Sequence, residues 1–319
     1  PQLADESDKR TVYMVDMHEP LMFLHNLETT IKEPFASNPA VLDAIEKNHR
    51  KLQMAMTKLY PGNLVISLSS GVMHHRLVDR ITALNDVPRE PLVPRRLGKN
   101  MCVPFGKILR GKVVPNTVTK TLHTDKVYEP DLNSFTIEPF PYYSPLKSQI
   151  ETIKSFDRPV ILVDDLVHKA DRLQVLVPQL REDGIPIRKV VVGVLSGYGR
   201  DLMQCLKVPV ESIYSMPNLR QWFVESTLYP FIGGDTVRRE EMKVAGLQPS
   251  INMILPYATP RLSGCSREAL VEFSACCIEN SKNLFQVLEA EYRKMYAKKL
   301  TLSRLSEVVI LPLCPDKGS

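Results

Sequence analysis

The chain has 319 residues, 44% of them hydrophobic and 24% charged, with a formal net charge of +5. This is an ordinary globular composition, long enough for one large α/β domain plus an appendage or for two modest domains, and it excludes a low-complexity or disordered chain. No apolar run approaches the ~20 residues that span a bilayer, so no membrane partner is expected, and the mild positive charge suits an anionic small molecule and argues against nucleic acid.

The opening Pro1-Gln-Leu-Ala-Asp-Glu-Ser-Asp-Lys-Arg lacks a signal-peptide core, and a start at Pro1 reads as a processed chain or a piece of a longer one. The six cysteines (102, 205, 265, 276, 277 and 314) form no CxxC pair and no regular framework. Reduced cysteines in a cytoplasmic protein without structural zinc are therefore expected.

Thr11-Val-Tyr-Met-Val-Asp16 predicts a strand. Ser37-Asn38-Pro39 then predicts a helix start, with a capping side chain, proline in the first turn and apolar Val41, Leu42, Ile45, Leu52, Met56 and Leu59 on its inner face. Pro61-Gly62 ends it, Leu64–Leu68 is a short strand, and the small-residue turn Ser69-Ser70-Gly71 leads into a helix over 72–84. Residues 86–145 are rich in proline, and within them 103–114 and 117–127 read as strands or a long hairpin studded with Lys99, Lys107, Arg110, Lys112, Lys120 and Lys126. Regular alternation returns with helix 145–156, strand 160–163, helix 171–182 ending in Asp183-Gly184, strand 190–194 and strand 210–214. Beyond 224 the main signal is a helix over 266–298 with apolar Leu270, Phe273, Cys277, Leu284, Val287, Leu288 and Tyr292, which suits packing on the core or on a partner in a homodimer.

The most informative stretch is 160–172, where Val-Ile-Leu-Val runs straight into Asp164-Asp165. A continuous aliphatic run is the pattern of a strand covered on both faces of a parallel sheet. Two carboxylates at its carboxyl end stand where open α/β sheets bind ligands. Such a pair repels itself and loses hydration, so something cationic or hydroxyl-rich to hold is the functional reading. The plainer alternative is one aspartate capping the next helix and the other solvated.

Strand, small-residue turn, helix, basic irregular segment, helix, then strand-Asp-Asp-loop-helix-strand over roughly 40–220 resembles the type I phosphoribosyltransferase fold. The run 192–199 followed by Ile213-Tyr-Ser-Met-Pro217 is similar to the segment after the signature in ribose-phosphate pyrophosphokinases. The resemblance implies a mainly parallel α/β sheet flanked by helices, with a basic hood and a helical C-terminal extension. It divides the chain into an N-terminal strand and extension over 1–38, a core over 39–223 and a mainly helical extension over 224–319.

The resemblance also implies a glycosyltransferase of nucleotide metabolism that takes phosphoribosyl pyrophosphate, or a related phosphorylated ribose or nucleotide, together with Mg2+. Asp164 and Asp165 would hold ribose hydroxyls and metal; Ser69, Ser70 and Gly71 would hold pyrophosphate; and Lys120 on a mobile hairpin, with His123 and Lys126 beside it, would reach the leaving group. His168, Lys169, Ala170, Asp171 and Arg172 stand at the 5-phosphate loop.

That loop departs from the family's Thr-Gly-x-Thr pattern. Ala170 stands where glycine would allow positive φ, the hydroxyls are missing, and Asp171 adds negative charge; Lys169 and Arg172 offer cationic replacements. His74 and His75 open the helix after the small turn and cannot share one helical face. Two other readings remain at this stage. One is a non-catalytic nucleotide-sensing or assembly module on the same fold. The other is a degenerate response-regulator receiver, which lacks a phosphoacceptor aspartate near 212–215.

Overall fold

A computed structural model describes residues 19–85, 96–141, 143–239, 246–260, 262 and 264–315. The strand expected at Thr11–Asp16 lies outside the described residues. Strands are β1 Leu21–His25, β2 Val65–Ser69, β3 Met101–Pro104, β4 Val118–Thr119, β5 Thr124–Tyr128, β6 Phe135–Pro139, β7 Val160–Val167, β8 Ile187–Ser196, β9 Val210–Met216, β10 Gln221–Val224, β11 Asp235–Val237, β12 Gln248–Ile251 and β13 Leu313–Pro315. Helices are α1 Pro39–Leu59, α2 Ser70–Leu84, α3 Leu146–Lys154, α4 Asp171–Glu182, α5 Gly197–Cys205, α6 Arg267–Tyr296 and the short α7 Leu305–Val308. The protein is α/β with mostly parallel sheets flanked by helices. Its chain divides into two compact units, one of Gly71–Lys126 with Ile137–Leu219, the other of Glu19–Ser70, Val127–Thr136 and Arg220 onward.

The first unit is built on a parallel sheet of order β4-β3-β7-β8-β9. Val160 to Val163 are fully buried, as an aliphatic strand covered on both faces must be. Each such side chain contributes about 1.5–3 kcal/mol through burial. From β3 the chain steps outward to β4, whereas β7, β8 and β9 step outward the other way. The direction of winding therefore reverses between β3 and β7, and the crevice at the carboxyl ends of those two strands is the usual ligand position in sheets of this kind.

β3 pairs with β7 from Met101↔Val160 to Pro104↔Val163 and then turns off. Pro104 has no N–H to extend the ladder, and Gly106 at φ +58° takes the chain away toward Leu122, whose carbonyl its N–H meets at 3.0 Å. β7 instead continues to Val167, paired only with β8 beyond this point (Asp164↔Val192, Leu166↔Val194, Val167↔Leu195). The acidic pair thus lies inside the strand, not after it, at the place where one neighbour leaves.

Two expectations are corrected. Residues 103–127 do not form a hairpin: β3 and β4 run parallel (Met101↔Val118, Cys102↔Thr119), a direction that hydrophobic pattern does not encode. The strand at 64–68 does not join β7 either. It pairs with β1 in a separate parallel sheet of order β10-β1-β2 in the second unit, because the apolar run Leu21-Met-Phe-Leu supplies a buried partner that the sequence reading passed over.

In the second unit α1 and α6 pack together beside that sheet. Asn38 caps α1 by accepting from the N–H groups of Ala40 and Val41, and Ser266 caps α6 by accepting from Ala269. The expected stripes face inward except at Leu42, which is exposed one position off the α1 stripe. Val41, Ile45, Leu52, Met56 and Leu59 meet Leu270, Phe273, Cys277, Leu284, Leu288 and Tyr292 in one core, with Val287 partly buried at its margin. Buried Asn48 and Asn280 cross-link the two helices, each amide donating to the other's backbone carbonyl at 2.9 and 3.2 Å. A second sheet, of order β13-β12-β11-β5-β6, takes Val127–Thr136 and the chain beyond 220, so the C-terminal region supplies strands as well as the long helix.

Gly193 fixes how α2 lies on the first unit's sheet. A Cβ there would fall 2.1 Å from Met73 Sδ and 2.6 Å from the Asp165 carbonyl oxygen. The methionine can swing aside; the β7 backbone cannot. Gly193→Ala should therefore destabilise the fold by about 1–3 kcal/mol, the usual cost of overpacking a core. Urea unfolding of the two proteins measures this, and equal midpoints would show that α2 does not press on β8.

Candidate functional site

Successive strand residues point to opposite faces, and the acidic pair behaves accordingly. Asp164 meets Arg172 of α4, with Oδ1 3.2 Å from Nη1, while Asp165 meets His74 of α2, with Oδ1 2.8 Å from Nε2. His74 is buried and its neighbour His75 is exposed, as their adjacency on a helix required. The Asp164 side chain is 13% exposed and that of Asp165 34%, so Asp165 is the carboxylate open to a ligand.

Burial pushes the Asp164 carboxyl up from 3.8 to about 6. The Arg172 guanidinium opposes that rise, the Asp165 carboxylate adds to it, and the Asp165 N–H bonded to Asp164 Oδ1 at 2.9 Å opposes it again. Arg172 also lies with its guanidinium carbon 5.5 Å from the centre of the Phe105 ring, and its Nε is buried without a hydrogen-bond partner.

The loop that follows leads into a helix start. Ala170 adopts the left-handed conformation (φ 53°, ψ 23°) that a glycine would take easily, and no side chain caps α4. The first-turn carboxylate of Asp171 is met by Lys126, Nζ to Oδ2 at 3.2 Å. The negative charge that stood out in this loop is thus locally balanced. Lys169 is exposed beside it.

His168 lies with Nδ1 2.8 Å from Ser196 Oγ. Ser196 itself caps α5, accepting from the Gly199 N–H at 3.0 Å. Burial and, after it, the Lys169 charge lower the His168 pKa, with Asp171 opposing. The imidazole is accordingly neutral around pH 7, able to accept or donate through either nitrogen.

Of the residues singled out from sequence, Asp164, Asp165, His168, Lys169, Ala170, Asp171 and Arg172 share the carboxyl end of β7, and Lys126 joins them. Gly71 opens the same unit, on α2; Ser69 ends β2 and the buried Ser70 follows it, both in the other unit. Lys120 is exposed just past β4, near enough to His123 to help Arg110 and burial hold that histidine's pKa down, burial being the largest cause. His123 stacks on Tyr143 with ring centres 3.8 Å apart. Sequence reasoning missed Ser196 and the pairing of Asp165 with His74. A serine next to the small-residue run Gly197-Tyr-Gly199 at a strand end was the available signal for the first; the second follows only from how α2 packs.

No protein-family model matches the chain, and no curated protein matches it.

The raised Asp164 pKa has a consequence for stability. The folded protein holds this proton more tightly than the unfolded chain, so the contribution is fully present below about pH 4 and is lost as pH rises through about 6. Asp164→Asn, which cannot ionise, should remove that decline. Between pH 4 and 7 the wild type is expected to lose up to about 3 kcal/mol relative to the variant. Denaturant unfolding across that range checks it, and parallel pH curves would refute a buried, proton-holding Asp164.

Proposed function

We propose that the crevice at the carboxyl ends of β3 and β7 binds a phosphorylated ribose, from phosphoribosyl pyrophosphate or a nucleotide, on a phosphoribosyltransferase-like fold. The carrying observation is the uncapped start of α4, reached through left-handed Ala170 directly beside an acidic pair at the point where the winding of the sheet reverses. Backbone N–H groups at such a turn are ready donors to a phosphate. The exposed Lys169 adds a cationic donor at the same turn. Asp165, one third exposed, is an acceptor for ribose hydroxyls.

The donor set fits a hydrated magnesium ion carried in on the ligand's phosphates, with Asp165 holding its water shell. It does not make an all-protein cage, since Asp164 is committed to Arg172. When bound, the ion would neutralise pyrophosphate charge. The remaining tasks belong to the chain: Asp165 orients the ribose, and His168, held by Ser196, is a neutral donor or acceptor at the loop.

Transfer of the phosphoribosyl group is the enzymatic form of this proposal. A sensing or assembly module is the second reading, favoured by one observation: Arg172, the best bidentate phosphate ligand in the loop, is spent largely on Asp164.

Calorimetry with ribose 5-phosphate and with phosphoribosyl pyrophosphate, each with and without Mg2+, tests the reading. Lys169→Gln is expected to cost about 1.5–3 kcal/mol of binding for both ligands, the range for hydrogen bonds to charged groups, and Asp165→Asn about 1–3 kcal/mol. Absence of binding by the wild type would remove the proposal. Binding without turnover of phosphoribosyl pyrophosphate, over a panel of nucleobases, would select the sensing module.

A further inference from the structure

The second unit carries its own cluster of ligating side chains at the carboxyl edge of its parallel sheet. β1 is flanked by β2 on one side and β10 on the other, so the winding reverses around it. His25 is the last residue of β1, and Glu225 follows the last residue of β10, opening a short 3-10 turn over Glu225–Leu228. His49 comes from the middle of α1. One ligand atom from each of the three lies within 4.8 Å of the others.

The contacts inside this cluster cannot all be ordinary hydrogen bonds. His49 Nε2 faces His25 Nδ1, and it also lies 2.6 Å from Glu225 Oε1. A single ring nitrogen carries at most one hydrogen, so it cannot donate to both. The approach of His49 to Oε1 also lacks hydrogen-bond alignment, and Oε1 is a buried carboxylate oxygen without a donor. Glu225 is completely buried. An ionised oxygen left so is costly unless a cation meets it.

The carboxylate is aimed deliberately. Its other oxygen, Oε2, accepts from the backbone N–H groups of Asn26 and Leu27 at 3.2 and 3.1 Å. The Asn26 side chain in turn clamps the two strand ends together, donating to Ser226 Oγ at 3.0 Å and accepting from the Ser226 N–H at 2.8 Å. Outer hydrogen bonds of this kind orient metal ligands in known sites. Beside His49 the surface opens into a hollow that gives solvent a path to the cluster; of the carboxylates lining it, Asp43 and Glu46 are paired with Lys47 and Arg50.

We propose that His25 Nδ1, His49 Nε2 and Glu225 Oε1 bind a divalent transition-metal ion of the zinc class, with a fourth position open to water. Two imidazole nitrogens with one carboxylate oxygen suit such an ion, whereas magnesium and calcium prefer all-oxygen sets. The site is independent of the ribose-phosphate proposal: it uses none of the same residues and lies in the other unit.

The test is titration of metal-stripped protein with Co2+, followed by its visible absorption, then displacement by Zn2+. One equivalent of cobalt with intense four-coordinate bands, lost on adding one equivalent of zinc, is expected. Replacing a direct ligand in His49→Gln or His25→Asn should weaken affinity by at least about 100-fold, beyond the 10–100-fold typical of outer-shell changes. His75→Gln, at an exposed histidine elsewhere, should leave it unchanged. Failure of the wild type to develop the bands would overturn the proposal, as would unchanged cobalt affinity in both ligand variants. If one ligand variant fails to fold, the wild-type spectrum and the other variant still decide.

Discussion

β7 outlasts β3. Up to Val163 the strand is held on both sides and its side chains are wholly buried, and beyond Val163 only β8 still pairs with it. The rest of the first unit's candidate site depends on this step. It gives Asp164 and Asp165 a rigid, hydrogen-bonded backbone on one side and an opening on the other. A rigid support matters because hydroxyl and phosphate groups are recognised through a few well-placed donors and acceptors, and strands hold those better than loops do. Gly193 lies on β8 beside this step, where a side chain would strike the Asp165 carbonyl and Met73 of α2.

Charge is arranged around that opening by pairing. Asp164 has Arg172, Asp165 has His74, and Asp171 has Lys126. None of these contacts is fully solvated, so the attraction in each is offset by the desolvation of its partners. The deeper aspartate shows that cost in its raised pKa. The shallower one keeps room for a ligand. The second unit repeats the strategy with different chemistry, since there the sheet's carboxyl edge gathers two imidazoles and a buried carboxylate.

How much of this could be read from the sequence follows from what each signal encodes. The buried strand was legible because four aliphatics in a row leave no solvent face, and the acidic pair because it interrupts them. Helices α1 and α4 were legible through their ends, at Asn38 and at Asp183-Gly184, and α6 through its apolar stripe. The left-handed geometry at position 170 was legible in outline, since the loop needs it and alanine adopts it without glycine's help.

Strand partners were not legible. Leu64–Leu68 and Val160–Val163 look alike in pattern, yet they belong to different sheets, because pairing is decided by which other strands exist, and Leu21–His25 is one of them. Parallel pairing of β3 with β4 was hidden for a similar reason: a period of two says nothing about direction. Side-chain partners brought together by packing were hidden altogether. His74 with Asp165, and the cluster of His25, His49 and Glu225, have no spacing that a motif could capture.

The most direct measurement of the central claim is a backbone amide NMR titration with ribose 5-phosphate. If the β3–β7 crevice takes the phosphorylated sugar, the largest shift changes should fall on Asp165 and on Lys169 to Leu173, at the start of α4, and should saturate together. Changes confined to other parts of the first unit, or none at all at millimolar ligand, would contradict it.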